Sequence, residues 1–162
     1  ILSNYEKKNS IFVAVTVNPS NDFINKNLIG HFDYIQLHGS ETKNRITQIK
    51  NMGFKIIKAI KIKDEQDIDN HREFDNADIV LFDTPGMEKS LEFPKNLITK
   101  LPIGTKYALA GSVSEDNVEK INKLGVNFFD LSSSLETNGH KDHLKIQKFM
   151  NKIKSINENT AI

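Results

Sequence analysis

The chain has 162 residues, with 22 Lys and Arg against 21 Asp and Glu and a formal net charge of +1. Both signs are mixed along it without a basic block, so it lacks the electrostatic footprint of a nucleic-acid binder, and its apolar runs are too short to cross a membrane. There is no cysteine, which removes disulfides, thiolate metal sites and cysteine nucleophiles and fits a reducing cytoplasm.

The length suits one substantial core, so a single domain over residues 1–162 is expected. No secretory signal opens the sequence, and its first residue is Ile1 rather than Met, which points to a piece of something longer.

In chain order, short apolar runs predict strands over residues 11–17, 34–37, 56–62, 79–82, 107–110 and 128–131. Between them, apolar residues recur at helical spacing: Phe23, Ile24 and Leu28, then Ile46 and Ile49, then Val118, Ile121 and Leu124. Gly30, Gly53 and Gly125 fall where helix C-caps belong, and Ser40 and Ser114 where N-caps belong. A last helix is expected over residues 142–156, burying Ile146, Phe149, Met150 and Ile153, with residues 157–162 as a frayed tail. Lys148, Lys152 and Lys154 read as ordinary solvated surface.

Strands alternating with helices through short loops mean βαβ units and a parallel sheet. Right-handed crossovers leave an open doubly wound sheet or a (β/α)8 barrel. Polar residues recur after nearly every strand, at Asn18, Gln36, His38, Asp83, Ser112, Asp130 and Ser133, instead of gathering at one switch point, which favours the barrel. Neither a G-x-G-x-x-G nor a Walker loop is present.

The most informative segment is Phe128-Phe129-Asp130-Leu131-Ser132-Ser133-Ser134, an apolar run entering a hydroxyl-rich turn. Outward N–H groups of such a turn hold anions, most often phosphate. Ala110-Gly111-Ser112 repeats the arrangement after the preceding strand, so Gly111, Ser112, Ser133 and Ser134 are the candidate phosphate ligands; two turn-and-cap motifs without a ligand are the plainer alternative. Asp83 ends an apolar strand and suits a general acid at the sheet's C-terminal edge, against an ordinary turn-starting Asp before Pro85. Asp130 in an apolar run either lines a site or has a buried partner. Gln36 and His38 alternate with Ile35 and Leu37, so both leave one face of their strand. His140, Lys141, Asp142 and His143 suit helix capping better than metal binding.

Taken in order, these segments resemble the phosphoribosylanthranilate isomerase family of tryptophan biosynthesis. Val13-Ala14-Val15-Thr16-Val17-Asn18 is similar to its third strand, Gln36-Leu37-His38-Gly39 with Glu41 to its Gln-Leu-His-Gly segment, and Ile57-Lys58-Ala59 to its fifth strand. Leu81-Phe82-Asp83-Thr84 resembles the sixth, Gly111-Ser112-Val113 with Asn117-Val118 the seventh, and the serine turn the eighth. The resemblance implies an incomplete (β/α)8 barrel corresponding to strands 3 to 8, without the first two strands and first helix. It implies an Amadori rearrangement with Asp83 as general acid, and Gln36, His38, Gly111, Ser112, Asp130, Ser133 and Ser134 as substrate and phosphate ligands. No cofactor is implied, and the partner is a small phosphoribosyl substrate, with the protein a monomer or homodimer.

The sequence departs from the family in ways that bear on chemistry. The family's general base is the cysteine of a Lys-x-Cys-Gly-like first strand, which this sequence does not contain, so the chain as it stands is expected to be inactive or nearly so. A Gly-Gly-x-Gly stretch after the sixth strand is replaced by Thr84-Pro85-Gly86-Met87-Glu88-Lys89-Ser90, and the usual Gly-Gly and Ser-Ser-Gly by Gly111-Ser112 and Ser132-Ser133-Ser134. The rival readings are another phosphate-binding barrel, such as the tryptophan synthase α subunit or indole-glycerol-phosphate synthase, and a degenerate barrel that binds a sugar phosphate without turning it over.

Overall fold

The computed structural model describes residues 10–83, 95–102, 104, 106–111 and 113–160. Of the sequence-predicted positions, Ser112 and the segment 84–90 lie outside the described residues. The run Val-Ala-Val-Thr, three of its four residues β-branched, forms β1 (Val13–Thr16), and α1 (Asn21–Asn27) follows, opened by Ser20, whose hydroxyl accepts from the Phe23 N–H. Strand β2 (Tyr34–Leu37), helix α2 (Lys43–Lys50) and strand β3 (Lys55–Lys61) come next. Then come α3 (Glu65–Asp69), a 3-10 turn at Asn70–Phe74, β4 (Ile79–Asp83), α4 (Lys95–Ile98) and β5 (Tyr107–Ala110). Helix α5 (Val118–Lys123) leads to a 3-10 turn at Ser133–Leu135, a hairpin of β6 (Glu136–Thr137) and β7 (His140–Lys141), and α6 (His143–Thr160).

Strands β1 to β5 form a sheet in the order β1-β2-β3-β4-β5. The β1–β2 and β2–β3 pairs are parallel, with Thr16 beside Leu37 and Leu37 beside Lys58. The chain divides into two compact units: the described residues up to Ile60 with Asn70–Val80, and Lys61–Asp69 with the described residues from Leu81 onward.

In the first unit Ile24, Leu28, Ile35, Leu37, Ile46, Ile49 and Ile56 are buried, each stabilising by roughly 1.5–3 kcal/mol relative to exposure. On β1 the alternate residues Ala14 and Thr16 are buried while Val13 and Val15 are exposed, the period of 2 of an extended chain. The second unit buries Leu81, Phe82, Leu97, Leu109, Val113, Val118, Ile121 and Phe149, with Phe82 stacked on Tyr107 at 5.9 Å between ring centroids.

Several expectations need correction. Residues 128–131 do not form a strand: only Phe129 bridges Leu109, with Leu109 N–H donating to Phe128 O (3.0 Å) and Asp130 N–H to Leu109 O (2.9 Å). Phe128 and Asp130 are exposed, so this short segment buries too little to extend the pairing. The caps are Thr42 for α2 and Asn117 for α5, not Ser40 and Ser114; Ser40 instead donates to Asn18 Oδ1, and the Ser114 N–H donates to Asn117 Oδ1. Phe23 and Met150 are exposed because each is one residue, about 100° of helical rotation, from the buried Ile24 and Phe149. Helix α6 continues to Thr160 because no Gly or Pro interrupts it and Ile156 is buried. Gly30, Gly53 and Gly125 do take the left-handed conformation of helix ends, at φ 79°, 96° and 96°.

Candidate active site

In the second unit, Asp83 is the last residue of β4 and half-buried. Its carbonyl accepts from Ile62 N–H at 2.7 Å, which ties the strand's C-terminal end to the segment after β3. The next strand, β5, ends at Ala110, and Gly111 turns the chain with φ 91°, a conformation that a side chain resists. The Leu109–Phe129 bridge is parallel, so Gly111 and the Ser132–Ser134 turn leave the same end of neighbouring segments. The turn Ser133–Leu135 is a short 3-10 helix whose first N–H groups have no acceptor within the helix.

The carbonyl side of that turn is held from behind. Lys141 Nζ donates to Ser132 O (3.1 Å) and to Glu136 Oε1 (2.6 Å), and Asp142 N–H donates to Leu135 O (2.8 Å). The β6–β7 hairpin closes through Asn138 and Gly139 at φ 53° and 77°, the two positive values that a tight hairpin turn demands. Asp142 caps α6 as expected, its Oδ1 accepting from Leu144 N–H (2.9 Å) and Lys145 N–H (3.2 Å). Hydrogen bonds from the Thr137 hydroxyl, then from Lys145 N–H and Leu144 N–H, hold its carboxyl below its ordinary value against a burial effect that raises it. Asp130, expected within an apolar strand either to line a site or to have a buried partner, is exposed beside this turn. Among the described residues, no group of three or more His, Cys, Asp or Glu is placed to hold a metal ion.

Gln36 and His38 belong to the first unit. Gln36 is buried, and Thr16 Oγ1 donates to its carbonyl at 3.3 Å. His38 is half-buried and its N–H donates to Thr16 O at 2.9 Å, extending the β1–β2 ladder one residue beyond β2.

Beside them lies a constellation that sequence reasoning passed over. Lys58, in the middle of β3, and Glu41 form an ion pair at 3.0 Å with side chains only 3% and 1% exposed. Lys58 Nζ also donates to Gly39 O (2.7 Å) and Leu37 O (3.3 Å), and lies 5.5 Å from the centre of the Phe74 ring. Glu41 accepts from Asn18 N–H (2.7 Å) and, through both oxygens, from Gly39 N–H (3.2 and 3.0 Å). Burial pushes the Glu41 carboxyl up, but the bonds from Asn18 N–H, Lys58 and its own N–H, with the Lys58 charge, outweigh it and hold the group below its ordinary value. The signal was legible: a charged residue inside Ile56-Ile57-Lys58-Ala59-Ile60 is as costly as Asp130 in its run, and demands a partner.

Comparison with known proteins gives consistent results. The pattern of the family described as N-(5'phosphoribosyl)anthranilate (PRA) isomerase matches residues 1–152. The curated N-(5'-phosphoribosyl)anthranilate isomerase of Thermoanaerobacter sp. (strain X514) is 32% identical over 96% of this chain and 71% of its own length. The crystal structure of phosphoribosyl anthranilate isomerase from Thermotoga maritima superposes with a TM-score of 0.74 at 22% identity, covering 90% of this chain and 74% of that one. This likeness shows the fold of a (β/α)8 barrel, of which the five-stranded sheet of this chain is an incomplete part. A phosphoribosyl anthranilate isomerase solved in complex with reduced 1-(o-carboxyphenylamino)-1-deoxyribulose 5-phosphate is similar too, with a TM-score of 0.71 at 23% identity over 90% of this chain and 72% of that one.

Proposed function

The chain belongs to the N-(5'-phosphoribosyl)anthranilate isomerase family, and from that premise we propose that its second unit supplies the general acid and the phosphate cradle of the Amadori rearrangement. Asp83 donates a proton to the ribose ring oxygen, which opens the ring to a Schiff base. Loss of the proton at the adjacent carbon to a base then forms the enol amine, which tautomerises to the ketose. The phosphate sits against the main-chain N–H groups of Gly111, Ser133 and Ser134, with Ser112 as a fourth ligand on sequence grounds, and Asp130 borders it. The family resemblance implies Gln36 and His38 as further substrate ligands. The substrate is a small phosphoribosyl compound, handled in the cytoplasm by a monomer or homodimer.

The single observation that supports this reading is the parallel Leu109–Phe129 bridge, which sends both candidate phosphate turns out of one end of adjacent segments. The carbonyls of Ser132 and Leu135 are already taken by Lys141 and by Asp142 N–H, which leaves the N–H side of the turn for an anion. The sequence contains no cysteine, so the base role that the family resemblance implies has no residue here.

Asp83→Asn tests the acid role in a form that carries the family's Lys-x-Cys-Gly-like strand as an N-terminal extension. Turnover of N-(5'-phosphoribosyl)anthranilate is expected to fall by roughly two to four powers of ten, with affinity for the reduced product analogue retained. Unchanged turnover rejects the acid role. Full turnover by the unextended chain rejects the assignment of the base to that strand.

A further inference from the structure

We infer that Glu41 and Lys58 are positioning residues that fix His38 for the substrate, an inference that rests on the reading of His38 given above. A buried ion pair is weak evidence for stability, since volume-matched apolar replacement is often neutral. The distribution of its bonds is what points to positioning. Lys58 spends its three protons on Glu41 and on the carbonyls of Leu37 and Gly39, the residues on either side of His38. Glu41 takes the Gly39 N–H and, across to the segment after β1, the Asn18 N–H. Together with His38 N–H on Thr16 O, these bonds hold the backbone before, at and after His38.

The register places Lys58 beside Leu37. Successive side chains of an extended chain leave opposite faces, so the pair works from the face opposite to the one His38 leaves. It can therefore set the position of the imidazole through the backbone that carries it. Asn18 completes the frame: it adopts φ 46°, rare for a residue with a side chain, and its Oδ1 accepts from Ser40 N–H at 3.1 Å.

The test is a mutant cycle on the chain as it stands, read by affinity for reduced 1-(o-carboxyphenylamino)-1-deoxyribulose 5-phosphate and by the NMR signals of the His38 ring. Glu41→Gln with Lys58→Met removes both charges at nearly constant volume. It is expected to fold, to move the ring signals and to weaken binding about tenfold, while His38→Gln weakens the parent by a similar factor and adds little in the doubly substituted background. An undiminished His38→Gln effect in that background, or ring signals that do not move, overturns the inference. A doubly substituted chain that fails to fold overturns it as well, by making the pair a stability element. If His38→Gln leaves the parent's affinity unchanged, the reading of His38 as a substrate contact fails, and the inference with it.

Discussion

Gly39→Ala adds one methyl group where the structure has no room for it. A Cβ built on Gly39 would stand 2.7 Å from Asn18 Oδ1, 2.8 Å from Glu41 Oε1 and 2.9 Å from Asn18 Cγ. Neither neighbour yields freely: Asn18 Oδ1 accepts from Ser40 N–H and Oγ, and Glu41 Oε1 accepts from Asn18 N–H at 2.7 Å. Overpacking of this kind costs about 1–3 kcal/mol, and displacing the buried carboxylate from one of its donors adds about 1–3 kcal/mol. A total of about 2–6 kcal/mol is therefore expected, measured as a fall in the urea midpoint by circular dichroism with the slope unchanged. Gly53→Ala is the control, because Gly53 has φ 96° and nothing within 4 Å of its Cβ. It should lose only about 1 kcal/mol, the cost of the left-handed backbone. A Gly39→Ala loss no larger than that of Gly53→Ala would refute the steric argument and the rigid frame behind it.

Glu41 has an ordinary pKa of 4.5 that folding lowers. Its contribution to stability is therefore complete above about pH 4.5 and is lost as the pH falls through the lower folded value, so thermal scans between about pH 3 and pH 6 should show an acid-side loss that Glu41→Gln reduces. Asp142→Ala removes the cap of α6 and should cost about 1 kcal/mol, read from the same urea midpoint, with local loss of amide protection at Leu144 and Lys145. The exposed Glu119 carboxyl is lowered to about 2 by the Lys152 and Lys123 side chains; an NMR titration should find it there at low salt and closer to 4.5 at high salt.

The amino-acid pattern alone carried the strand–helix alternation, because apolar periods of 2 and of 3.6 survive without any knowledge of neighbours. Residues 34–37 and 107–110 coincide with β2 and β5, and the glycines at 30, 53 and 125 end helices through a conformation that suits no other residue as well. Residues 128–131 did not follow their pattern, because a strand needs a partner along its length and only Phe129 of that run pairs, with Leu109. The choice of Thr42 over Ser40 as a cap likewise turned on a distant group, since Ser40 is drawn to Asn18, 22 residues away in sequence.

The candidate site divides along the same line. The placing of Asp83 at the end of β4 and of Gly111 just after β5 was legible, because the ends of apolar runs are visible in sequence. The Glu41–Lys58 pair was not read, although Lys58 stood alone among apolar neighbours, because sequence shows that a buried charge needs a partner and not which one. Only the parallel register, which sets Leu37 between Thr16 and Lys58, brings the turn after β2 under the lysine ammonium and the Glu41 carboxylate beneath the Asn18 N–H. Local pattern determined the elements; contacts between residues far apart in sequence decided which polar groups meet.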